Sequence, residues 1–332
     1  MLHTRSLKIV GLLLGIVLFI CGMVCSVAFG VTNISWNTIV QSYTQFNGSQ
    51  EHLIVQTARV PRALIAAFAG GGLAVAGALM QGITRNPIAS PSIFGINAGA
   101  AFFIVTGSAF FGASSMSTFA GLAFAGAAFT ALIVYILGSI GSDGLTPIKI
   151  TLAGAAMTAF FSSLSLGILL TGGQTFDQVL FWFVGSVAGR DLSLFTTAAP
   201  YMGIAFVGAY IIARHMNLLA LGEDVATGLG QKTIFIKLAA GVIIVLLAGG
   251  SVSIAGPIAF VGIIIPHITR YLVGIDYRWV IPYCAVLGGV LLLAADIGSR
   301  YISFPKEVPV GVMTAIIGVP FFVYIARRGE RG

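Results

Sequence analysis

From Asn86 to Ser142 the chain carries no Asp, Glu, Lys or Arg, and five further stretches behave alike. Ala63 to Thr84, Ile150 to Phe176, Leu192 to Ala213 and Val308 to Ala326 are uncharged, and Leu238 to Thr269 holds only His267. A bilayer-spanning helix needs about 20 apolar residues, whereas a barrel strand needs about 10 that alternate in polarity. These stretches are long and do not alternate, and only a helix satisfies its own backbone over such a length in lipid. The charged fraction of 8% against 58% hydrophobic residues excludes an ordinary soluble domain, where roughly a quarter of residues are charged. The fold class is an all-α polytopic membrane protein, with residues 1–332 forming a single transmembrane domain.

Breaks at Pro, Gly and charge clusters predict ten spans, approximately 8–29, 62–82, 92–112, 117–138, 148–171, 195–213, 233–250, 256–273, 279–297 and 308–326. Lys and Arg accumulate on the cytoplasmic side of membrane proteins. With both termini cytoplasmic, the inner segments hold Arg5, Lys8, Arg85, Lys149, Arg214, Lys232, Lys237, Arg270, Arg278, Arg327, Arg328 and Arg331. The outer segments hold only Arg59, Arg62, Arg190, Arg300 and Lys306. The net charge of +7 is therefore chiefly a topology signal. No basic soluble domain exists to carry a nucleic acid. The first span has the basic-then-apolar order of a secretory signal, but its long core and the lack of an A-x-A site predict a retained helix. Cys21, Cys25 and Cys284 fall inside spans and read as small apolar packers, with no metal or disulfide pattern.

No G-x-x-x-x-G-K-[ST] is present, so the chain has no phosphate-cradling loop of that type, and no H-E-x-x-H occurs. Ion-coupled transporters carry ionisable residues at membrane depth. Here Asp296 falls near the outer end of its span, and Asp177 and Asp191 fall in an outer connection, so no central carboxylate is in evidence. His267 alone makes neither a metal site nor a proton relay and reads as a hydrogen-bonding residue. An internal echo links Ala69-Gly70-Gly71 and Ala76-Gly77 to Ala248-Gly249-Gly250 and Ala255-Gly256, at a constant offset of 179 residues. It is either an inverted repeat or chance similarity between glycine-rich helices.

Four segments together carry a resemblance. They are Arg59-Val60-Pro61-Arg62; Gly77-Ala78-Leu79-Met80-Gln81 with Asn86-Pro87-Ile88-Ala89-Ser90-Pro91 and Gly95-Ile96-Asn97-Ala98-Gly99; Leu219 to Ala226 running on to Leu229-Gly230; and Gly256 to Gly262 with Ile265 to Arg270 and Ala295-Asp296. In this order, over nearly the whole chain, they resemble the permease subunit of ABC importers for ferric siderophores and vitamin B12. The resemblance implies a type II ABC importer permease with about ten helices in the bacterial cytoplasmic membrane. It also implies a second permease subunit, identical or paralogous, two cytoplasmic ATPase subunits that bind ATP-Mg, and an extracytoplasmic binding protein. This chain itself would bind no cofactor and no resident metal, and would not be an enzyme.

The resemblance also assigns roles. The cytoplasmic segment 214–232, through Leu219, Leu221, Gly222, Glu223, Asp224, Ala226, Leu229 and Gly230, would couple to the ATPase; an ordinary solvated loop is the alternative from the residues alone. Arg59, Arg62 and Arg300 would receive acidic groups of the binding protein, for which a planar guanidinium is suited; phosphate headgroup anchoring is the other reading. Thr158, Ser162 and Ser163 form a small polar stripe on one predicted helix, either lining the path or packing against neighbours. Asn86 would lie near the cytoplasmic constriction, or simply break the helix with Pro87. The function implied is translocation of an iron(III)–siderophore chelate, with vitamin B12 or haem allowed by the same architecture. From another class, an ion-coupled secondary transporter or channel competes, opposed by the missing central carboxylate.

Overall fold

The computed structural model describes every residue except 1, 3, 31, 33, 142–145, 172–181, 303–305 and 330–332, and Asp177 and Arg331 fall outside the described residues. All described secondary structure is helical. In chain order the elements are α1 (Arg5–Ala28), α2 (Trp36–Thr44), α3 (Gln50–Thr84), α4 (Ile96–Phe111), α5 (Met116–Ser139), α6 (Pro147–Thr171), α7 (Leu192–Leu221), α8 (Glu223–Gly228), α9 (Thr233–Ala255), α10 (Val261–Val273), α11 (Tyr277–Ser299) and α12 (Val310–Gly329). Among the described residues seven of them (α1, α3, α5, α6, α7, α9 and α11) are long and apolar enough to cross a membrane. Ile96–Phe111, Val261–Val273 and Val310–Val323 are shorter apolar helices.

Helix α3 is the axis of the fold. Its composition explains why: Gly70, Gly71, Gly72 and Gly77 remove side chains where other backbones cross. A Cβ at Gly71 would sit 2.7 Å from the Ala285 carbonyl oxygen of α11, and one at Gly77 would collide with the Gly262 backbone of α10. Close approach of this kind supplies the packing that drives helix association in lipid, where burial of apolar surface supplies little. Around α3 pack α1, α7, α9, α10 and α11, while α4, α5 and α6 form a second group joined to the first through α9. Helix α6 is the opposite of α3, with Leu152, Phe160, Leu164, Leu166 and Leu170 exposed.

Local chemistry sets the breaks. Arg85 takes a left-handed conformation (φ 48°) and ends α3 before Asn86-Pro87. Gly256 (φ 75°) ends α9, and Phe260 (φ 69°) opens α10 at Val261, five residues later than the sequence predicts. The glycine echo splits along with these breaks: Gly77 is a mid-helix crossing point, whereas Gly256 is a helix terminus beside Trp182.

Two further boundaries differ from expectation. Helix α7 does not end at 213 but continues to Leu221, because buried Ala213, Met216 and Leu219 prolong its apolar face past exposed Arg214 and His215. Charge marks a solvent boundary, and a helix can run through it. The segment before span 62–82 also folds: Ser35 caps α2 through the Thr38 N–H, and Ser49 caps α3 through the His52 N–H. Helix α2 leaves Trp36, Val40 and Tyr43 outward on one face, as in helices lying in a membrane interface.

Candidate functional site: two helix-bundle ends and a polar cavity

The 23 residues of α11 separate two ends of the bundle by about 35 Å at 1.5 Å per residue. At one end Asp296 and Arg300 close α11, facing the beginning of α3. At the other, Asp276 and Tyr277 open α11, facing the last turns of α7, which α8 follows.

The arginine end is a closed charge network. Asp296 is 0% exposed and receives Arg62 through Nε (2.9 and 3.1 Å) and Nη2 (2.8 Å), and Arg300 through Nη2 (2.5 Å). Arg62 Nη1 donates to Glu307 at 2.7 Å. The other two cations serve α1. The last carbonyls of a helix lack intrahelical partners, and here Arg59 donates to Val27 O (2.9 Å), Ala28 O (2.7 Å) and Thr32 O, while Arg300 donates to Ser26 O (2.7 Å) and Phe29 O (2.5 Å). A π-helical turn, Val55–Arg59, supplies the rotation that aims Arg59 at these carbonyls. Arg59 is 5% exposed and Arg300 2%. Of the three arginines expected at a docking rim, only Arg62 keeps an accessible edge, beside Glu307.

The α8 end is built the other way round. Gly222 (φ 135°) breaks α7, and α8 follows at once. Leu219 and Ala226 point inward and are buried, whereas Leu221, Val225 and Leu229 are 63%, 48% and 64% exposed. Leu221 is the last residue of α7, Val225 lies on α8 and Leu229 caps it, so three exposed apolar side chains flank the break at Gly222. Asp224 is exposed, but Glu223 is tied back to α9, accepting from Lys237 Nζ at 2.6 Å and from Thr233 Oγ1 at 3.3 Å. The peptide N–H of Gly230 (φ 80°), just past exposed Leu229, donates to Thr227 O, and the turn closes through the Gln231 N–H on Ala226 O. Asp276, at the start of α11, is drawn upward by burial but held down to about 2 by hydrogen bonds from Arg278 and Asn217 and by the Arg278 charge.

Between the ends lies a cavity of about 520 Å³, lined mostly by apolar residues such as Ala101, Leu166, Leu169 and Phe183, with Ser92, Asn97, Thr158, Ser162 and Ser165 as its polar part. Thr158 and Ser162 thus share this surface with two residues of the 92–97 stretch, which sequence reasoning did not single out. Thr158 and Ser165 donate to carbonyls one turn back, Gly154 at 2.8 Å and Phe161 at 2.7 Å. Ser163 is exposed on the neighbouring face of α6, and Asn86 is in a turn, where its Oδ1 accepts from the Ile88 N–H at 3.1 Å; neither is part of the cavity wall. Sequence reasoning also missed Glu307, Asn217 and Asp276. The Asp296–Arg300 pair had a legible signal, the i, i+4 spacing on one helix.

A helical bundle crossed at glycines, with seven helices long and apolar enough to span a bilayer among the described residues, defines a polytopic membrane protein. The model of the FecCD transport family matches residues 17–328, and the chain belongs to that family. It is 56% identical over 316 residues to the Bacillus subtilis "Probable siderophore transport system permease protein YfiZ", covering 95% of each chain. It is 40% identical over 329 residues to the Escherichia coli ferric enterobactin transport system permease protein FepD, covering 99% of this chain and 97% of that one. Among solved structures, a metal-chelate type ABC transporter in an inward-facing conformation superposes with a TM-score of 0.83 at 26% identity, over 96% of this chain and 98% of that one.

Proposed function

We propose that this chain is the permease half of an ABC importer that moves an iron(III)–siderophore chelate across a bacterial cytoplasmic membrane. The single observation that carries the reading is near-end-to-end identity with permeases named for siderophores and ferric enterobactin. The seven long helices and the three shorter apolar ones make ten crossings, with both termini and α8 in the cytoplasm and the arginine end outside. A second permease subunit, identical or paralogous, completes the path.

The apolar face of Leu221, Val225 and Leu229 seats in a groove of a cytoplasmic ATPase. Leu219, Gly222, Glu223, Ala226 and Gly230 hold that face in shape, and Asp224 lies at its edge. ATP-Mg binds on the two ATPase subunits, whose closure displaces α8 and the end of α7. The rigid glycine-crossed bundle converts that displacement into opening on one side at a time. An extracytoplasmic binding protein delivers the chelate onto a rim that Arg59 and Arg300 shape by capping α1, and Arg62 offers its free edge to a carboxylate of that protein. The cavity wall at Thr158 and Ser162 is weakly polar, which suits a path that passes cargo without holding it; Ser163 and Asn86 complete this path when the second subunit is in place.

Uptake of a radiolabelled ferric hydroxamate into proteoliposomes tests the reading. Uptake should require the ATPase subunits, ATP and the binding protein together. Uphill transport by this chain alone would overturn it.

A further inference from the structure

A series of polar contacts, joined through the backbone of α3 and of residues 89–90, leads from the end of α7 to the cavity wall. Asn217 sits in the last turns of α7, just before α8. Its side chain is used in both directions: Nδ2 donates to Asp276 Oδ1 at 2.7 Å, and Oδ1 accepts from the Tyr277 N–H at 2.8 Å. This pairs α7 with the first turn of α11. The Tyr277 ring, 3% exposed, crosses to α3 and its hydroxyl donates to Ala78 O at 3.2 Å. The hydroxyl fits there because Gly82 has no side chain: a Cβ would come within 2.5 Å of it and 2.6 Å of the Met216 methyl. One turn along α3, Gln81 is buried and donates from Nε2 to Ala89 O (3.2 Å) and Gly262 O (3.0 Å), while its Oε1 accepts from Arg270 at 2.5 Å. Ala89 leads directly into Ser90, whose hydroxyl lies 2.6 Å from that of Ser92 in the cavity wall. Each partner is a fixed, directional contact, and buried amides rarely go unpaired.

We infer that Asn217 and Gln81 are positioning residues that tie the α8 end to the Ser92 wall of the polar cavity, so that movement of α8 is delivered to the path through Tyr277. This rests on the importer reading and adds to it the route of coupling. Asp276 suits the role because it stays an ionised acceptor for Asn217 at any working pH. Residues that belong to one route share their effect when both are removed, whereas independent sites multiply.

The test uses the assembled complex in proteoliposomes and reads cargo moved per ATP hydrolysed, a ratio that loss of folded protein leaves unchanged. Asn217→Ala and Gln81→Ala should each lower it by about fivefold, the size of an ordinary coupling contribution. The double variant should again fall about fivefold. The exchange Asn217→Asp with Asp276→Asn, which reverses the roles of amide and carboxylate, should recover the ratio to within about twofold, whereas Asn217→Asp alone, setting two carboxylates together, should not. A roughly 25-fold loss in the double variant, a wild-type ratio in either single variant, or no recovery in the exchange would overturn the inference while wild-type uptake stands. Absence of ATP-driven uptake in the wild-type complex would overturn the importer reading and this inference with it.

Discussion

The two ends of the bundle invert the usual rule for where charge and apolar surface belong. At the arginine end three cations and two carboxylates converge, yet Arg59, Arg300 and Asp296 are buried and bonded within the chain. At the α8 end, Leu221 closing α7, Val225 on α8 and Leu229 capping it stand in the open. Cations turned inward serve the fold, because they satisfy the terminal carbonyls of α1 and link α1, α3 and α11. Apolar groups turned outward around the α7–α8 break serve something else, because nothing among the described residues covers them. A network that is locked and a surface that is free should respond differently to substitution.

The largest effect on stability is expected at Asp296. Asp296→Ala leaves Arg62 and Arg300 facing each other without their shared carboxylate, and removing one partner of a buried pair costs about 3–5 kcal/mol. Thermal unfolding of the purified subunit in detergent should show the loss, and an unchanged midpoint would mean that the network does not hold that end. Gly77→Ala comes next: the added methyl meets the Gly262 backbone, and overpacking costs about 1–3 kcal/mol. The same unfolding measurement checks it. Glu307→Gln removes a half-exposed partner of Arg62 and should change stability by about 1 kcal/mol or less.

A pH titration sharpens the other end. The Asp276 carboxyl is depressed to about 2, so its contribution is complete above the ordinary carboxylate pKa of about 4 and is lost as pH falls from there towards 2. Unfolding followed across that window should slope downward in the wild type and more gently in Asp276→Asn. Equal slopes would remove Asp276 as the titrating cap.

Much of this contrast was open to sequence reasoning in kind but not in direction. Among the described residues, uncharged runs located α3 to α7, α9, α10 and α12, since a lipid-facing backbone leaves no other choice, and Gly256-Pro257 marked the break between α9 and α10. What charge could not reveal was which way a side chain turns. Arg59 and Arg300 sit where an exposed rim was expected, but their guanidinium groups follow the orphaned carbonyls of α1, a contact set by tertiary packing far along the chain. Arg214 after the uncharged run predicts a connection at 214–221; the period of Ala213, Met216 and Leu219 is the better signal. Ser35 and Ser49 are legible caps for α2 and for the early start of α3. Asn217 and Asp276 were invisible, being lone polar residues whose pairing depends on α7 and α11 meeting.

The central claim is that the outward apolar surface around the α7–α8 break is where an ATPase supplies the driving force. Co-purification measures it most directly, with the subunit carrying Leu221→Asp and Leu229→Asp compared with the wild type in the presence of the ATPase subunits. Both side chains are exposed, so stability should stay within about 0.5 kcal/mol. The wild type should retain the ATPase and the variant should lose it while melting at the same temperature. Equal retention by a normally folded variant would contradict the claim.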